Sequence, residues 1–295
     1  MKVSGAIPCY NGSQFIRQAT ESLLQQVDPL EEIIIVDDGS TDSSAEIIAD
    51  LCSQNHVLKC ITHEKNRGLP QARNSALHQA VGEIIFYLDV DAVADPYFTH
   101  HLKPEFNGSK VAGVGGAAYE KRSDGQANYW RHRFRPQNFG AQRSGHPPFL
   151  FGICSSYRVS IIKELGGFDP FFMTNGEDVD IGIRLRKAGY QLVYQPLCQA
   201  SHHRDDTFSS LKKMVYRWSC WGVLAHMKNK APYLKSHIFG PLKLSILNFF
   251  YSARRCQGRM MLFHVVLFAM MMKGIGAGWK TYLQTAPTWK KHGPE

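Results

Sequence analysis

Glu32-Ile33-Ile34-Ile35-Val36-Asp37-Asp38-Gly39-Ser40-Thr41-Asp42 is the stretch from which the fold can be read. Four consecutive branched apolar residues describe a strand covered on both faces, because a half-exposed strand alternates apolar with polar positions. The run stops abruptly at acids and small residues, the composition of a loop at a strand's carboxyl end. Upstream, Val3 to Ile7 is a short apolar run ending at Pro8-Cys9-Tyr10-Asn11-Gly12, and Phe15, Ile16, Ala19, Leu23 and Leu24 then share one helical face. Downstream, Ser43 with Glu46 predicts a capping box for a helix carrying Ala45, Ile48, Leu51 and Cys52. A strand near 59–62, a helix over 69–80 and a strand over 84–88 ending at Asp89-Val90-Asp91 continue the alternation.

Strand and helix in strict alternation predict an α/β fold, with a mostly parallel central sheet flanked by helices and ligands outside the carboxyl ends of the strands. The acidic clusters fall at those ends. A second region begins at 111–115 and passes into the basic segment 121–143, where Trp130, Phe134 and Phe139 alternate with arginines. That segment reads as a substrate-covering loop, an RNA-stacking surface or, with the most weight, a helix resting on the core. Helices follow over 160–165 and 178–188.

With 295 residues, 44% apolar and 20% charged, the chain has material for one large core or two packed lobes, which excludes a natively unfolded tail. The net charge of +9 is unevenly spread. Residues 204–295 hold 15 basic and 3 acidic side chains, whereas residues 1–203 hold 19 and 22. A basic block of this kind fits an anionic partner, phospholipid or nucleic acid, or a plain solvated face. Its helical candidates, 209–228, 242–255 and 260–272, are separated by Pro232, Pro241 and Gly258. The apolar run 260–272 is 13 residues long, short of the roughly 20 needed to cross a bilayer. Lys273 and the glycines at 274, 276 and 278 argue against extending it, so buried core and a contact with the membrane interface are the competing readings. Seven scattered cysteines give no disulfide framework, and the first residues lack the apolar stretch of a signal peptide. The expected location is cytoplasmic, at most peripheral on the cytoplasmic face of the membrane.

Asp89 and Asp91 at a strand end offer two carboxylates to a cation bridging phosphates, the chemistry of Mg²⁺ or Mn²⁺. The strand period of two puts both side chains on the same side of the chain. Asp37 and Asp38 could accept from a nucleobase N–H or ribose hydroxyls. Glu177-Asp178 stands at a helix start, where backbone N–H groups favour an ionised carboxylate; capping is the alternative role for Asp178. His202 and His203 offer imidazole. Neither a Gly-x-Gly-x-x-Gly nor a Gly-x-x-x-x-Gly-Lys-Ser/Thr loop is present, which removes the main support for dinucleotide binding and ATP hydrolysis.

Taken in order, Pro8-Cys9-Tyr10-Asn11, Val36-Asp37-Asp38-Gly39-Ser40, Asn66-Arg67-Gly68, Ala72-Arg73-Asn74, Asp89-Val90-Asp91, Gly166-Gly167-Phe168-Asp169, Glu177-Asp178 and the late His202 resemble the family 2 glycosyltransferases of the GT-A fold. The resemblance covers about residues 1–205. It implies an inverting enzyme that moves one sugar from a nucleoside diphosphate donor, with UDP the commonest, to a glycan or lipid-linked acceptor in polysaccharide or cell-envelope synthesis. By this resemblance Asp37 and Asp38 hold the nucleobase and ribose, and Pro8, Tyr10 and Arg73 border the nucleotide. Asp89 reaches ribose or sugar, while Asp91 and His202 approach Mn²⁺ or Mg²⁺. Asp178 is the implied general base, and Glu177 orients it or meets the acceptor. The implied division is a nucleotide-sugar half over 1–110, an acceptor-side and catalytic half over 111–205, and a basic helical extension over 206–295.

Polymerising members carry Gln-x-x-Arg-Trp and clear membrane spans. Here Met214 stands where Gln is expected before Arg217-Trp218, which favours transfer of a single sugar. Two other classes remain as alternatives. One is a nucleic-acid-binding protein using the basic last third, although no nucleic-acid motif is present; the other is a sugar-phosphate nucleotidyltransferase, whose expected Gly-rich loop near the first strand is missing.

Overall fold

A computed structural model describes residues 1–231 and 234–289. Its core begins where the sequence is most apolar. Ile33 to Val36 are all fully buried, Ile33 and Ile35 on one sheet face and Ile34 and Val36 on the other. Each such side chain contributes about 1.5–3 kcal/mol by leaving water, so a strand with no exposed face is pinned between the layers that cover the sheet.

Among the described residues eight strands form one sheet: β1 (Val3–Cys9), β2 (Glu32–Asp37), β3 (Leu58–Thr62), β4 (Ile84–Leu88), β5 (Ala92–Ala94), β6 (Val111–Glu120), β7 (Cys154–Arg158) and β8 (Gln191–His202). Their spatial order is β3-β2-β1-β4-β7-β6-β8-β5. Pairing is parallel for β1 with β2 and β4, β2 with β3, and β6 with β8; β7 runs antiparallel to β4 and β6, and β5 antiparallel to β8. The carboxyl ends of β1, β2, β4, β6 and β8 therefore share one edge of the sheet.

Helices cover both faces. On one side α1 (Ile16–Leu24), α2 (Ser44–Gln54) and α4 (Phe98–Leu102) pack on Ile33, Ile35 and Phe86. On the other, α3 (Leu69–Gln79), α6 (Val159–Glu164) and α7 (Glu177–Lys187) pack on Ile34, Val36 and Tyr87. The capping box expected at Ser43 does not form: its side chain makes no capping bond. Asp42 takes over this end of the helix, accepting from the Ser44 backbone N–H and hydroxyl and from Ser13 N.

The chain folds as two compact units. The sheet unit comprises residues 1–121 and 136–204. The second comprises residues 122–135 and 205–289, and is built from α5 (Gly125–Phe134), α8 (Phe208–Lys228), α9 (Leu234–Arg254) and α10 (Gly258–Trp289). Trp130 and Phe134 of the basic segment are buried in its core with Leu211, Met214 and Leu267, so of the three readings for 121–143 a packed helix holds for α5. A capping box that sequence reading missed starts α8, with Thr207 Oγ1 accepting from Ser210 N and Ser210 Oγ from Thr207 N.

Two expected interruptions are absent. Pro241 lies inside α9 as its eighth residue, where the missing N–H removes one helical bond, and α10 runs on through Gly274, Gly276 and Gly278. Gly274 and Gly278 lie against α8: a Cβ on Gly278 would sit 2.7 Å from Cys220 O, and one on Gly274 would strike Tyr216 O. Close helix packing offsets the helical cost of glycine there. Pro232 lies outside the described residues.

Candidate active site

The parallel strands deliver their acids to one edge, and two loops then decide what each acid does. Asp37 ends β2 and is buried; its Oδ1 accepts from Ser40 N at 3.1 Å, which bends the following loop. Asp38 is buried and heavily engaged. Its Oδ1 accepts from Arg67 N at 2.9 Å and lies 2.6 Å from His63 Nδ1, and its Oδ2 accepts from Gly68 N at 2.8 Å. Ser75 Oγ holds the other ring nitrogen of His63 at 2.8 Å. Gly39 permits this approach, since it has φ +71° and a Cβ there would lie 2.5 Å from the Lys65 backbone. With these three donors Asp38 organises the loop into α3.

Pro8 is buried inside β1, beyond Ala6, the last residue that pairs with β4. Tyr10 follows the strand and is 48% exposed, free to lie along a ligand.

Arg73, expected at the nucleotide's border, is 1% exposed. From α3 it donates through Nη1 to Glu177 Oε1 at 2.8 Å, and through Nη2 to Asp89 Oδ1 at 3.1 Å and Gly152 O at 2.9 Å. Its guanidinium lies 5.5 Å from the Phe168 ring centre and 5.7 Å from that of Tyr87. The adjacent Asn74 donates to Phe168 O at 2.7 Å and accepts from Phe168 N at 2.8 Å, so the two halves of the ordered motif set are bonded to each other. Burial pulls the Arg73 pKa down, but Glu177 and Asp89 hold it above its ordinary value.

Asp89-Val90-Asp91 lies past the end of β4, in the turn to β5, where strand alternation no longer applies. The two acids accordingly divide their partners. Asp89 faces Arg73, and burial raises its pKa against that guanidinium's opposing pull. Asp91 Oδ2 lies 3.2 Å from His202 Nε2, while His202 Nδ1 lies 3.2 Å from Glu120 Oε1. Burial would lower the His202 pKa, but the two carboxylates prevail and lift it to about 9. His203 points elsewhere, its Nε2 2.9 Å from Ser201 Oγ.

Glu177 and Asp178 open α7. Asp178 Oδ1 accepts from Val179 N at 2.8 Å and Oδ2 from Gly152 N at 3.4 Å. Contrary to the sequence expectation, the helix-start N–H groups do not prevail here. Burial, then Asp178, raises Glu177 to about 7 despite Arg73, and burial raises Asp178 as well. Glu177 Oε2 and Arg73 Nε are buried with no hydrogen-bond partner.

Among the described residues no group of three or more His, Cys, Asp or Glu side chains is arranged to hold a metal ion. The donor chemistry nonetheless fits a divalent cation whose shell a diphosphate completes: Asp91 supplies a carboxylate, and His202 presents Nε2 with Nδ1 fixed by Glu120, the arrangement that orients ligating histidines. Sequence reading missed Glu120, His63 and Gly152. None stands in an acidic or glycine-rich cluster, and each is recognisable only once β6, β3 and β7 are placed.

The family model for glycosyl transferase family 2 matches residues 4–166, more than half of the chain. The chain belongs to glycosyl transferase family 2. A model for glycosyl transferase family 21 matches residues 132–289. This family 2 enzyme is 28% identical over 253 residues to the poly-beta-1,6-N-acetyl-D-glucosamine synthase of Staphylococcus epidermidis, covering 84% of the chain and 60% of the synthase. The chain thus spans less than two thirds of that relative's length. Among solved structures it resembles the Pyrobaculum calidifontis mannosyltransferase PcManGT with GDP-Man and Mn²⁺, with TM-score 0.66, 16% identity and coverage of 92% and 87% of the two chains. It also resembles Staphylococcus aureus TarS 1–349 with UDP-GlcNAc, with TM-score 0.56, 16% identity and coverage of 96% and 92%. At such identity these two likenesses establish a shared GT-A-like fold. Family membership places the chain among the glycosyltransferases.

Proposed function

We propose that the enzyme transfers one sugar, with inversion, from a UDP-sugar to a hydroxyl of a glycan or lipid-linked acceptor, with Asp178 as general base. The observation that carries this reading is the Arg73 bridge between Asp89 and Glu177, which ties the turn on the donor side to the carboxylate beside Asp178. Residues 1–110 then serve the donor and 111–205 the acceptor side. Asp37 and Tyr10 meet the nucleoside, whereas Asp38 and Pro8 shape the loops that carry them. Asp89 meets the ribose or sugar.

Asp178 accepts the proton of the acceptor hydroxyl as that oxygen attacks the anomeric carbon from the face opposite the departing diphosphate. A raised carboxylate pKa improves its basicity, and the N–H groups of Val179 and Gly152 fix its orientation. Glu177 stays bound to Arg73 and excludes other positions for the base. Asp91 and His202 would hold Mn²⁺ or Mg²⁺, which when bound supplies charge stabilisation to the leaving diphosphate. Single transfer accords with Met214, whose sulfur is occupied by the buried Arg131. The enzyme works on the cytoplasmic side, in peripheral contact with an anionic membrane, in polysaccharide or cell-envelope synthesis.

The test is transfer by Asp178→Asn, expected to fall about 10²–10⁴-fold while the donor still binds. Unchanged turnover by the folded variant would refute the base assignment.

A further inference from the structure

Between Thr207 and Trp289 the chain carries twelve lysines and arginines and not one aspartate or glutamate. Within this stretch α10 has two unlike faces. Met260, His264, Leu267, Met271, Gly274 and Gly278 are buried, at alternating steps of four and three residues, with the two glycines against α8. On another face Leu262, Val265, Met272, Trp279 and Leu283 are exposed, with Ala269 and Gly276 completing the same alternation. Leu262 is 62% and Leu283 69% exposed. An apolar stripe of this regularity extends about 30 Å at 1.5 Å per residue. Lys273 and Lys280 follow Met272 and Trp279 directly and are exposed too, so cations run along its flank. In α9, Phe239, Ile246, Leu247 and Phe250 are exposed in the same manner, with Lys243 and Arg254 in the row.

We propose that these stripes of α9 and α10 seat the enzyme in the interface of an anionic phospholipid bilayer, α10 lying in the membrane plane with Lys273 and Lys280 at the phosphates. The inference rests on the membrane-surface reading above and assigns the residues that carry it. Charge selects the occupant. A second copy of this chain would bring cations against cations with no carboxylate on either helix to pair them, whereas anionic headgroups neutralise them while acyl chains cover the stripe. Geometry selects the plane. By length and composition Gly258–Ala286 could cross a bilayer, with a mean hydropathy of 1.7 over its most apolar window. One face of α10 is held by α8, however, which carries Lys212, Lys213, Arg217 and Lys228, and a crossing would draw these cations with Lys273 and Lys280 into hydrocarbon.

The experiment is flotation of the full chain with vesicles of phosphatidylcholine alone and of phosphatidylcholine with about one third phosphatidylglycerol, the range in which surface charge governs binding. The protein should float with the anionic vesicles only. Leu262→Asn/Met272→Asn/Leu283→Asn should lower partitioning at least about tenfold, and Lys273→Gln/Lys280→Gln should remove much of its salt sensitivity. Emission assigned to Trp279 by difference from Trp279→Phe should shift to the blue with vesicles and be quenched by shallow rather than deep lipid labels. If the wild type does not float, the membrane-surface reading fails. If it floats and the folded triple variant floats equally, the stripe assignment alone fails. Deep quenching would overturn the in-plane seat, and a dimer that dissolves in the triple variant without lipid binding would make the stripe a self-interface.

Discussion

Arg73 Nη1 lies 2.8 Å from Glu177 Oε1, joining α3 to α7 across 104 residues of sequence in a pair almost wholly withdrawn from solvent. Burying two charges is costly, and the cost is met here by geometry: the guanidinium also reaches Asp89 and Gly152 O and lies beside two aromatic rings. A Cβ on residue 152 would come within 2.8 Å of Nη2, so Gly152 is the residue that admits the clamp. Removing one partner leaves the other charged and unpaired. Arg73→Met should therefore lose about 3–5 kcal/mol in urea unfolding, and Arg73→Met/Glu177→Gln should regain part of that loss. A double variant no more stable than the single would show that Arg73 acts through its other contacts.

The Glu177–Asp178 pair also gives the enzyme a pH signature. Both carboxyls have raised pKa values in the folded chain, so the folded state holds protons that the unfolded state releases. Stability from this source is complete below the ordinary glutamate value of 4.5 and is lost as pH rises through about 7. Glu177→Gln should flatten that decline, measured as the unfolding midpoint between pH 4 and 8. Transfer runs the opposite way, because a base must be deprotonated, so its rate should climb with pH along a limb displaced above the ordinary carboxylate range. A rate independent of pH from 5 to 8 would oppose Asp178 as the base.

Asp38 supplies a third prediction. Its acceptor capacity is spent on Arg67 N, Gly68 N and His63, so Asp38→Ala leaves buried donors unpaired at about 1–3 kcal/mol each. Thermal unfolding should show the loss, and calorimetric UDP affinity should fall with it. His63→Ala should reproduce part of both effects, with the double variant less than additive. Additive loss, or a UDP defect in Asp38→Ala without destabilisation, would return Asp38 to direct contact with the base.

What was legible in the chain follows from the range of the forces involved. Ile33 to Val36 disclose a strand because burial on both faces leaves no polar position, and the acids after it mark the ligand-bearing edge. The loop contacts of Asp38 were hidden because their donors stand about thirty residues away, and the Arg73 clamp because no local pattern announces a partner at 177. The glycines of α10 misled for the same reason: their helical cost is local, while the packing on α8 that offsets it is tertiary. At Ser43 two local signals competed, and Asp42 captured Ser44 where a capping box had been expected.

Glu120 offers the last test, since it touches the proposed cation only through His202. Its carboxylate fixes Nδ1 at 3.2 Å, leaving Nε2 directed at Asp91. Losing such a partner weakens metal binding about 10–100-fold in comparable sites by letting the imidazole turn. Glu120→Gln retains an acceptor and should lose least, Glu120→Ala more, and Asp91→Ala most. Mn²⁺ titration of donor hydrolysis gives the order, and Mn²⁺ paramagnetic resonance with UDP gives it without turnover. Equal Mn²⁺ affinity in wild type and Glu120→Ala would detach His202 from the metal and leave Asp91 as the anchor.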